Sequence, residues 1–190
     1  MKVGVLALQG AFREHRQALE RLGAEVTEVR LPEQLETLDG VVIPGGESTT
    51  MAKLMSAYGL DAALKDFHKE GGAVWGTCAG AIAIASDIVG YPAQPRLGLM
   101  EISVERNAYG RQVDSFEVDV DVKGLETPFH TVFIRAPRIA QVGSEVEVLA
   151  TFQDKPILVT QGRLMATVFH PELTQDDRVH GVFLERVISP

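Results

Sequence analysis

The sequence predicts an α/β fold, with one domain over residues 1–190, a mainly parallel central sheet with helices on both faces, and an antiparallel, β-rich second half. In the first half, short apolar segments alternate with stretches of helical apolar spacing, as in parallel strands joined by helices. After Tyr91, apolar and polar residues tend to alternate, which is typical of antiparallel strands with one solvated face. No repeat, low-complexity run or linker divides the 190 residues.

Four short segments in the first half are rich in apolar residues and are predicted to be strands: residues 3–8, 25–29, 41–43 and 73–75. Helices are predicted between them because apolar residues recur every three or four positions. The first helix follows Gln9-Gly10 and ends at Gly23. Ser48 is the predicted cap of the next helix, and a further helix ends at the glycines 71–72.

Six segments of the second half are rich in β-branched, aromatic or other apolar residues and are predicted to be strands: residues 97–104, 116–120, 132–134, 146–150, 157–159 and 165–169. Of these, 116–120 alternates strictly between apolar and polar or acidic side chains. The last helix is predicted over 177–187, with Val179, Val182 and Phe183 on its inner face.

Composition excludes several classes of protein. A formal net charge of -8 and a pI near 5.1 argue against a nucleic-acid binder, which normally has a basic face. A single cysteine permits no internal disulfide and favours a reducing compartment. The N-terminal apolar run is too short for a signal peptide, and no stretch approaches the ~20 apolar residues of a membrane span. We therefore expect a cytoplasmic protein that does not bind membranes.

The Gly-Thr-Cys-Ala-Gly segment at 76–80 has the pattern of a sharp strand-to-helix turn that carries a nucleophile at its tip. Such a turn places Cys78 at a helix N-terminus, where exposed N–H groups and the helix dipole favour the thiolate. A free cysteine is otherwise usually a small buried apolar residue. Its position in this pattern makes Cys78 the candidate nucleophile.

The segment His170-Pro171-Glu172 supplies a candidate base for that nucleophile. Residues two apart on an extended chain point to the same side, and proline favours an extended conformation in the residue before it. Glu172 is therefore predicted to orient His170, which takes a proton from Cys78 in a Cys/His/Glu triad. Without the cysteine motif, a surface histidine beside a surface glutamate would be the better interpretation.

The remaining histidines lack comparable sequence neighbours and are predicted to be surface or helix residues: His15, His68, His130 and His180. No cluster of residues has metal-ligand spacing, so we expect no metal, and no cofactor is predicted.

Four predicted strands end abruptly in glycine or polar residues, within segments 41–48, 73–78, 132–137 and 168–173. Ligands of open α/β sheets bind beyond the carboxyl ends of the strands, so these ends are predicted to form one site. The Pro-Gly-Gly-Glu-Ser stretch before the second helix is either an anion cradle or an ordinary capped turn, and it lacks the ending of a nucleotide P-loop. The backbone N–H groups of Gly46 and Ala79 are the candidate oxyanion donors.

The elbow at 76–80 and the His-Pro-Glu motif resemble those of the class I, or triad-type, glutamine amidotransferases. Within that class, five further segments resemble the glutaminase subunits of pyridoxal 5′-phosphate synthases: residues 6–11, 44–49, 106–112, 114–117 and 133–137. The resemblance covers essentially the whole chain and shows no departure at a motif position.

This resemblance implies hydrolysis of L-glutamine to L-glutamate and ammonia, which would pass to a pyridoxal 5′-phosphate synthase subunit for vitamin B6 biosynthesis. It implies the same triad roles for Cys78, His170 and Glu172. By the family pattern, these residues would bind the substrate: Gly46, Glu47, Ser48, Arg106, Ile134 and Arg135. Gln9 and Gly10 would contact the synthase.

Two alternatives remain open. A glutaminase of another pathway, such as that of imidazole-glycerol-phosphate synthase, shares the broad motifs, although segment 106–117 argues against it. A non-catalytic interaction subunit with a decayed triad, or a stress-type cysteine protein of similar fold, is the second alternative. The intact Cys78, His170 and Glu172 argue against decay.

Overall fold

A computed structural model describes residues 1–106 and 115–188. Its strands are β1 (Lys2–Leu6), β2 (Glu25–Val29), β3 (Gly40–Ile43), β4 (Ala73–Thr77), β5 (Ala85–Ile88), β6 (Met100–Glu105), β7 (Ser115–Val120), β8 (Phe129–Ile134), β9 (Arg138–Val142), β10 (Glu147–Phe152), β11 (Lys155–Gln161) and β12 (Leu164–Thr167). Its α-helices are α1 (Phe12–Arg21), α2 (Ser48–Ala57), α3 (Leu60–Lys69), α4 (Ala79–Ile84) and α5 (Arg178–Ile188). Short 3-10 turns cover Pro32–Leu35 and Pro171–Leu173.

The main sheet has seven strands in the order β10-β11-β12-β4-β3-β1-β2. The five strands from β12 to β2 are parallel, and β11 and β10 are antiparallel additions at one edge. Helices α1 and α5 contact each other, and α2 contacts both α3 and α4. The helices that cover the sheet therefore form two groups, α1 with α5 and α2 with α3 and α4. Because both faces are covered, all four residues of β3 and all five of β4 are buried, which explains their near-continuous apolar sequences.

The second half forms two further small sheets. Strands β5, β6 and β9 make one of them, and β7 pairs with β8 in the other. The alternation at Phe116 corresponds to an antiparallel pair in which its ring stacks on Phe133, with centroids 4.5 Å apart. The predicted fold class is therefore confirmed, a mainly parallel sheet followed by a β-rich second half.

Two strands, β5 and β9, were not predicted from the sequence. β5 begins directly after α4 with no glycine or proline to mark the change, and its two central residues are exposed. In β9 a single residue, Ile139, is buried, so the segment has no alternating pattern. Both strands depend on pairing with β6, which lies outside their own sequences.

The fold brings the predicted strand ends together. β3 and β4 are neighbours in the sheet, and β4 also pairs with β12. The backbone N–H of His170, just beyond β12, donates to the carbonyl of Val132 in β8 at 2.8 Å. The segments after β3, β4, β8 and β12 therefore meet at one end of the sheet. In the described part of the chain, no helix combines the length and apolarity of a membrane span.

Candidate active site

Cys78 occupies a strained turn between β4 and α4. Its backbone has φ 51° and ψ -105°, a region that side-chain-bearing residues rarely adopt. The flanking glycines permit the turn, because a Cβ on Gly76 would lie 2.3 Å from the carbonyl oxygen of Gly80. A Cβ on Gly80 would lie 2.0 Å from the carbonyl oxygen of Ile43. The predicted strand-to-helix elbow is present, and both glycines are required by close backbone approach.

The imidazole of His170 contacts the carboxylate of Glu172. His170 Nδ1 lies 2.7 Å from Glu172 Oε1, and both residues are buried. The expected extended geometry is wrong, however, because Pro171–Leu173 forms a 3-10 turn. That turn, which proline starts readily, brings the carboxylate to Nδ1 of the ring. Nδ1 is thereby occupied, so Nε2 is the nitrogen left for Cys78.

Electrostatics favour a charged imidazole. Burial disfavours the imidazolium, but hydrogen bonding with Cys78 and Glu172 and their negative charges outweigh it and raise the pKa of His170 to about 10. Burial likewise opposes ionisation of Glu172, yet its electrostatic interactions with His15 and His170 and the hydrogen bond to His170 lower its pKa. The arrangement suits a thiolate–imidazolium pair supported by a carboxylate.

The loop after β3 shapes another wall of the site. Glu47, not the predicted Ser48, caps α2, since its carboxylate accepts from the backbone N–H groups of Thr49 and Thr50 at 3.0 and 2.7 Å. The hydroxyl of Thr50 also donates to it, and these hydrogen bonds lower the pKa of Glu47 to about 2. Glu47 therefore stays ionised where it lines the site.

A cavity of about 560 Å³ opens beside Cys78. Nine of the predicted site residues line it: Gly46, Glu47, Ser48, Cys78, Ala79, Arg106, Ile134, Arg135 and His170. Glu172 is buried behind His170. Ile82 and Pro137 also line the cavity and were not predicted. All of these lining residues except Arg106, which follows β6, come from the four predicted strand ends or from α4, so the predicted convergence is present.

Arg106 is held in place by residues that sequence analysis missed. Its Nη1 donates to Gln94 Oε1 at 2.6 Å, and its guanidinium lies 4.6 Å from the centre of the Tyr91 ring. Gln94 in turn donates to the hydroxyl of Ser48 at 3.2 Å. Gln94 thus connects two candidate substrate-binding residues. It lies in an irregular, proline-rich stretch, where no periodic signal could have identified it.

Gln9 connects the N-terminal segment to the loop after β3. Its Nε2 donates to the carbonyl of Glu47 at 2.7 Å, and its Oε1 accepts from the Glu47 N–H at 3.4 Å. Gly10 packs against the carbonyl of Gly45. The candidate partner-contact residues therefore touch the loop that carries Gly46. Residues 107–114 of the two motifs between 106 and 117 lie outside the described residues.

His15 and His180 were predicted to be surface or helix residues. Both lie in helices, α1 and α5, but neither is at the surface, because both are fully buried. Helical spacing contained the signal. His15 lies three and four residues before Ala18 and Leu19, which are buried, and this spacing places it on the inner face of α1. His180 has the same relation to Phe183 in α5.

Comparisons with known proteins find similar sequences over nearly the whole chain. Residues 5–189 match the SNO glutamine amidotransferase family. The chain is 59% identical over 188 residues to the pyridoxal 5′-phosphate synthase subunit PdxT of Deinococcus radiodurans, covering 97% of this chain and 96% of that protein. It is 58% identical over 184 residues to PdxT of Thermus thermophilus, covering 96% of each.

Solved structures are also similar to this chain. A crystal structure of a glutamine amidotransferase superposes with a TM-score of 0.93 at 57% identity, covering 97% of this chain and 98% of that one. The structure of PurLQS from Thermotoga maritima gives a TM-score of 0.69 at 17% identity, covering 98% and 95%, a likeness that concerns the fold alone.

Proposed function

The chain belongs to the SNO glutamine amidotransferase family, and from this membership we propose that it is the glutaminase subunit of a pyridoxal 5′-phosphate synthase. It hydrolyses L-glutamine to L-glutamate and ammonia, and the ammonia passes to a synthase subunit. The observation that carries the proposal is the contact of His170 with Glu172 beside Cys78, at a cavity lined by the residues that the family pattern assigns to the substrate.

The proposed chemistry follows from the charges of the three residues. The Cys78 thiolate attacks the amide carbon of glutamine, and the imidazolium of His170 protonates the departing nitrogen, so that ammonia leaves and a thioester remains. His170, now neutral, takes a proton from water as it attacks the thioester, which releases glutamate and the thiolate. Glu172 stabilises the imidazolium in both steps.

The tetrahedral intermediates carry a negative oxygen that needs donors. We assign this role to the backbone N–H groups of Gly46 and Ala79, which both line the cavity. Ala79 begins α4, and first-turn N–H groups have no acceptor within their own helix. Arg106 and Arg135 are the candidates for the substrate carboxylate, since a guanidinium matches two oxygens, and the ionised Glu47 suits the substrate ammonium group.

The test uses two nitrogen sources. Cys78→Ala should abolish glutamate release from glutamine, while the complex with the synthase subunit still makes pyridoxal 5′-phosphate from added ammonium salts. Loss with both sources would mean that the change damages the complex itself. Near-wild-type glutamate release by the pure variant would refute the nucleophile, and activation only by the synthase of another pathway would refute the assigned partner.

A further inference from the structure

Two buried histidines lie behind Glu172, on the side of the carboxylate that does not contact His170. The Nε2 atom of His15 lies 3.4 Å from Glu172 Oε2 and 3.2 Å from Thr77 Oγ1. Its Nδ1 atom lies 3.0 Å from Nε2 of His180. Within the described residues, Glu172 Oε2 has no partner at hydrogen-bond geometry, and Nε2 of His15 approaches it at 3.4 Å. The proposed triad therefore continues into a chain of polar groups that runs from α1 to α5.

The contacts assign the protons of these two rings. Burial lowers the pKa of both histidines, although the charge of Glu172 opposes this for His15, so each ring is neutral with one N–H. With the His15 proton on Nε2, this N–H faces Glu172 and Thr77, and Nδ1 accepts from His180. Within the described residues, Nδ1 of His180 is then an acceptor without a partner, and Oε2 of Glu172 has only the 3.4 Å contact with His15.

The opposite assignment is worse for two reasons. It would bury an unpaired N–H on His180, and it would turn a lone pair of His15 towards the carboxylate of Glu172. An unpaired N–H and a lone pair that faces a carboxylate each cost much free energy in an apolar interior.

We propose that His15, kept in the Nε2–H tautomer by His180, is a positioning residue that holds the second oxygen of Glu172 so that the first stays aligned with His170. This proposal rests on the proposed function, because it requires that Glu172 and His170 act on Cys78. The other charged groups that act on the pair are the imidazolium of His170 and the carboxylate of Glu14, which act on His15, and the guanidinium of Arg21, which acts on His180.

Loss of His15 would remove the N–H that faces the fully buried Oε2 of Glu172, which has no other hydrogen-bond donor among the described residues. The carboxylate would then rotate or take up a proton, and either change weakens its bond to His170 Nδ1. The imidazolium of His170 and the thiolate of Cys78 would both be destabilised. Because His15 does not line the substrate cavity, kcat should change and KM should not.

The experiment compares His15→Leu, which removes the donor, with His15→Gln, which keeps an N–H near the position of Nε2. In the complex with the synthase subunit, we expect His15→Leu to lower kcat about 10–100-fold. This is the range seen when the residues that orient metal-binding histidines and carboxylates are removed. His15→Gln should stay near wild type. The acid limb of Cys78 alkylation by iodoacetamide should move to higher pH in His15→Leu but not in His15→Gln.

Leu64→Ala, on the buried face of α3, controls for a general loss of stability, and it should leave the alkylation profile unchanged. If His15→Leu does not fold, His180→Phe is the second variant, with a smaller loss of kcat and the same direction of the pH shift. Wild-type kcat in His15→Leu, or an equal loss in His15→Gln, overturns the proposal. Cys78→Ala in the same assay tests the proposed function separately.

Discussion

Replacing Glu172 with glutamine keeps the shape of a buried side chain and removes its charge. Glu172 Oε1 lies 2.7 Å from His170 Nδ1, and the glutamate side chain is fully buried, so an amide oxygen at that position could still accept the N–H. The hydrogen bond becomes neutral, however. Hydrogen bonds to charged groups contribute about 1.5–3 kcal/mol and neutral ones about 0.5–1.5 kcal/mol. The difference, about 1–1.5 kcal/mol, corresponds to about a tenfold loss of rate.

Removal of the proton carrier should be more damaging. General acid–base catalysis contributes about 10²–10⁴-fold, so His170→Ala is expected to lose more activity than Glu172→Gln. The pH profile gives an independent measurement. Cys78 and Glu172 hold the pKa of His170 at about 10 against the effect of burial. Without the Glu172 charge this pKa falls, so the imidazolium is lost at lower pH and the basic limb moves towards neutrality.

The assay is steady-state glutamate release in the complex, across the pH range, for wild type and both variants. His130→Asn is the matched control, because His130 also has a raised pKa beside two carboxylates, Asp119 and Glu117, but lies on the exposed β7–β8 sheet. Its basic limb should not move. A Glu172→Gln variant that is less active than His170→Ala, or whose basic limb stays in place, would contradict the assigned roles.

Two further predictions concern residues around the cavity. Gly10→Ala would place a Cβ 1.8 Å from the carbonyl oxygen of Gly45 and displace the peptide that carries a candidate oxyanion donor, so kcat should fall about 10²–10³-fold while Cys78 can still be alkylated. Gly23→Ala is the control, since Gly23 has nearly the same φ, +84° against +83°, and no atom within 4 Å; equal losses in both variants would contradict this explanation. Gln94→Leu removes an acceptor that holds the Arg106 guanidinium, so KM for glutamine should rise about 10-fold with little change in kcat; an unchanged KM would mean that Arg106 does not bind substrate.

Much of the fold was predictable because most strands have a distinctive residue pattern within their own sequence. β2 matches the predicted residues 25–29, and β3 and β4 were identified by apolar runs that reflect burial on both faces. A short, near-continuous apolar run is typical of a parallel strand that helices cover on both faces. β5 and β9 were missed because their partner strand β6, rather than their own composition, makes them strands.

The elbow at Cys78 was likewise a local property. The sharp turn requires glycine on both sides, so the residues that make it possible are adjacent in the sequence. His170 and Glu172 were also near each other, although the 3-10 turn that joins them was not foreseen. Sequence alone therefore predicted the fold class, the candidate nucleophile and its candidate base.

Tertiary structure decided which polar groups meet. Helical periodicity places His15 on the inner face of α1, but it cannot say what lies opposite. A buried histidine is tolerated there because Glu172, Thr77 and His180 arrive from three other parts of the chain and satisfy its two nitrogens. Gln94 reaches Arg106 and Ser48 in the same way. Buried apolar residues recur in the sequence at the period of their helix or strand, so they can be predicted from it. A polar contact depends on a partner that only the folded chain brings within hydrogen-bonding distance.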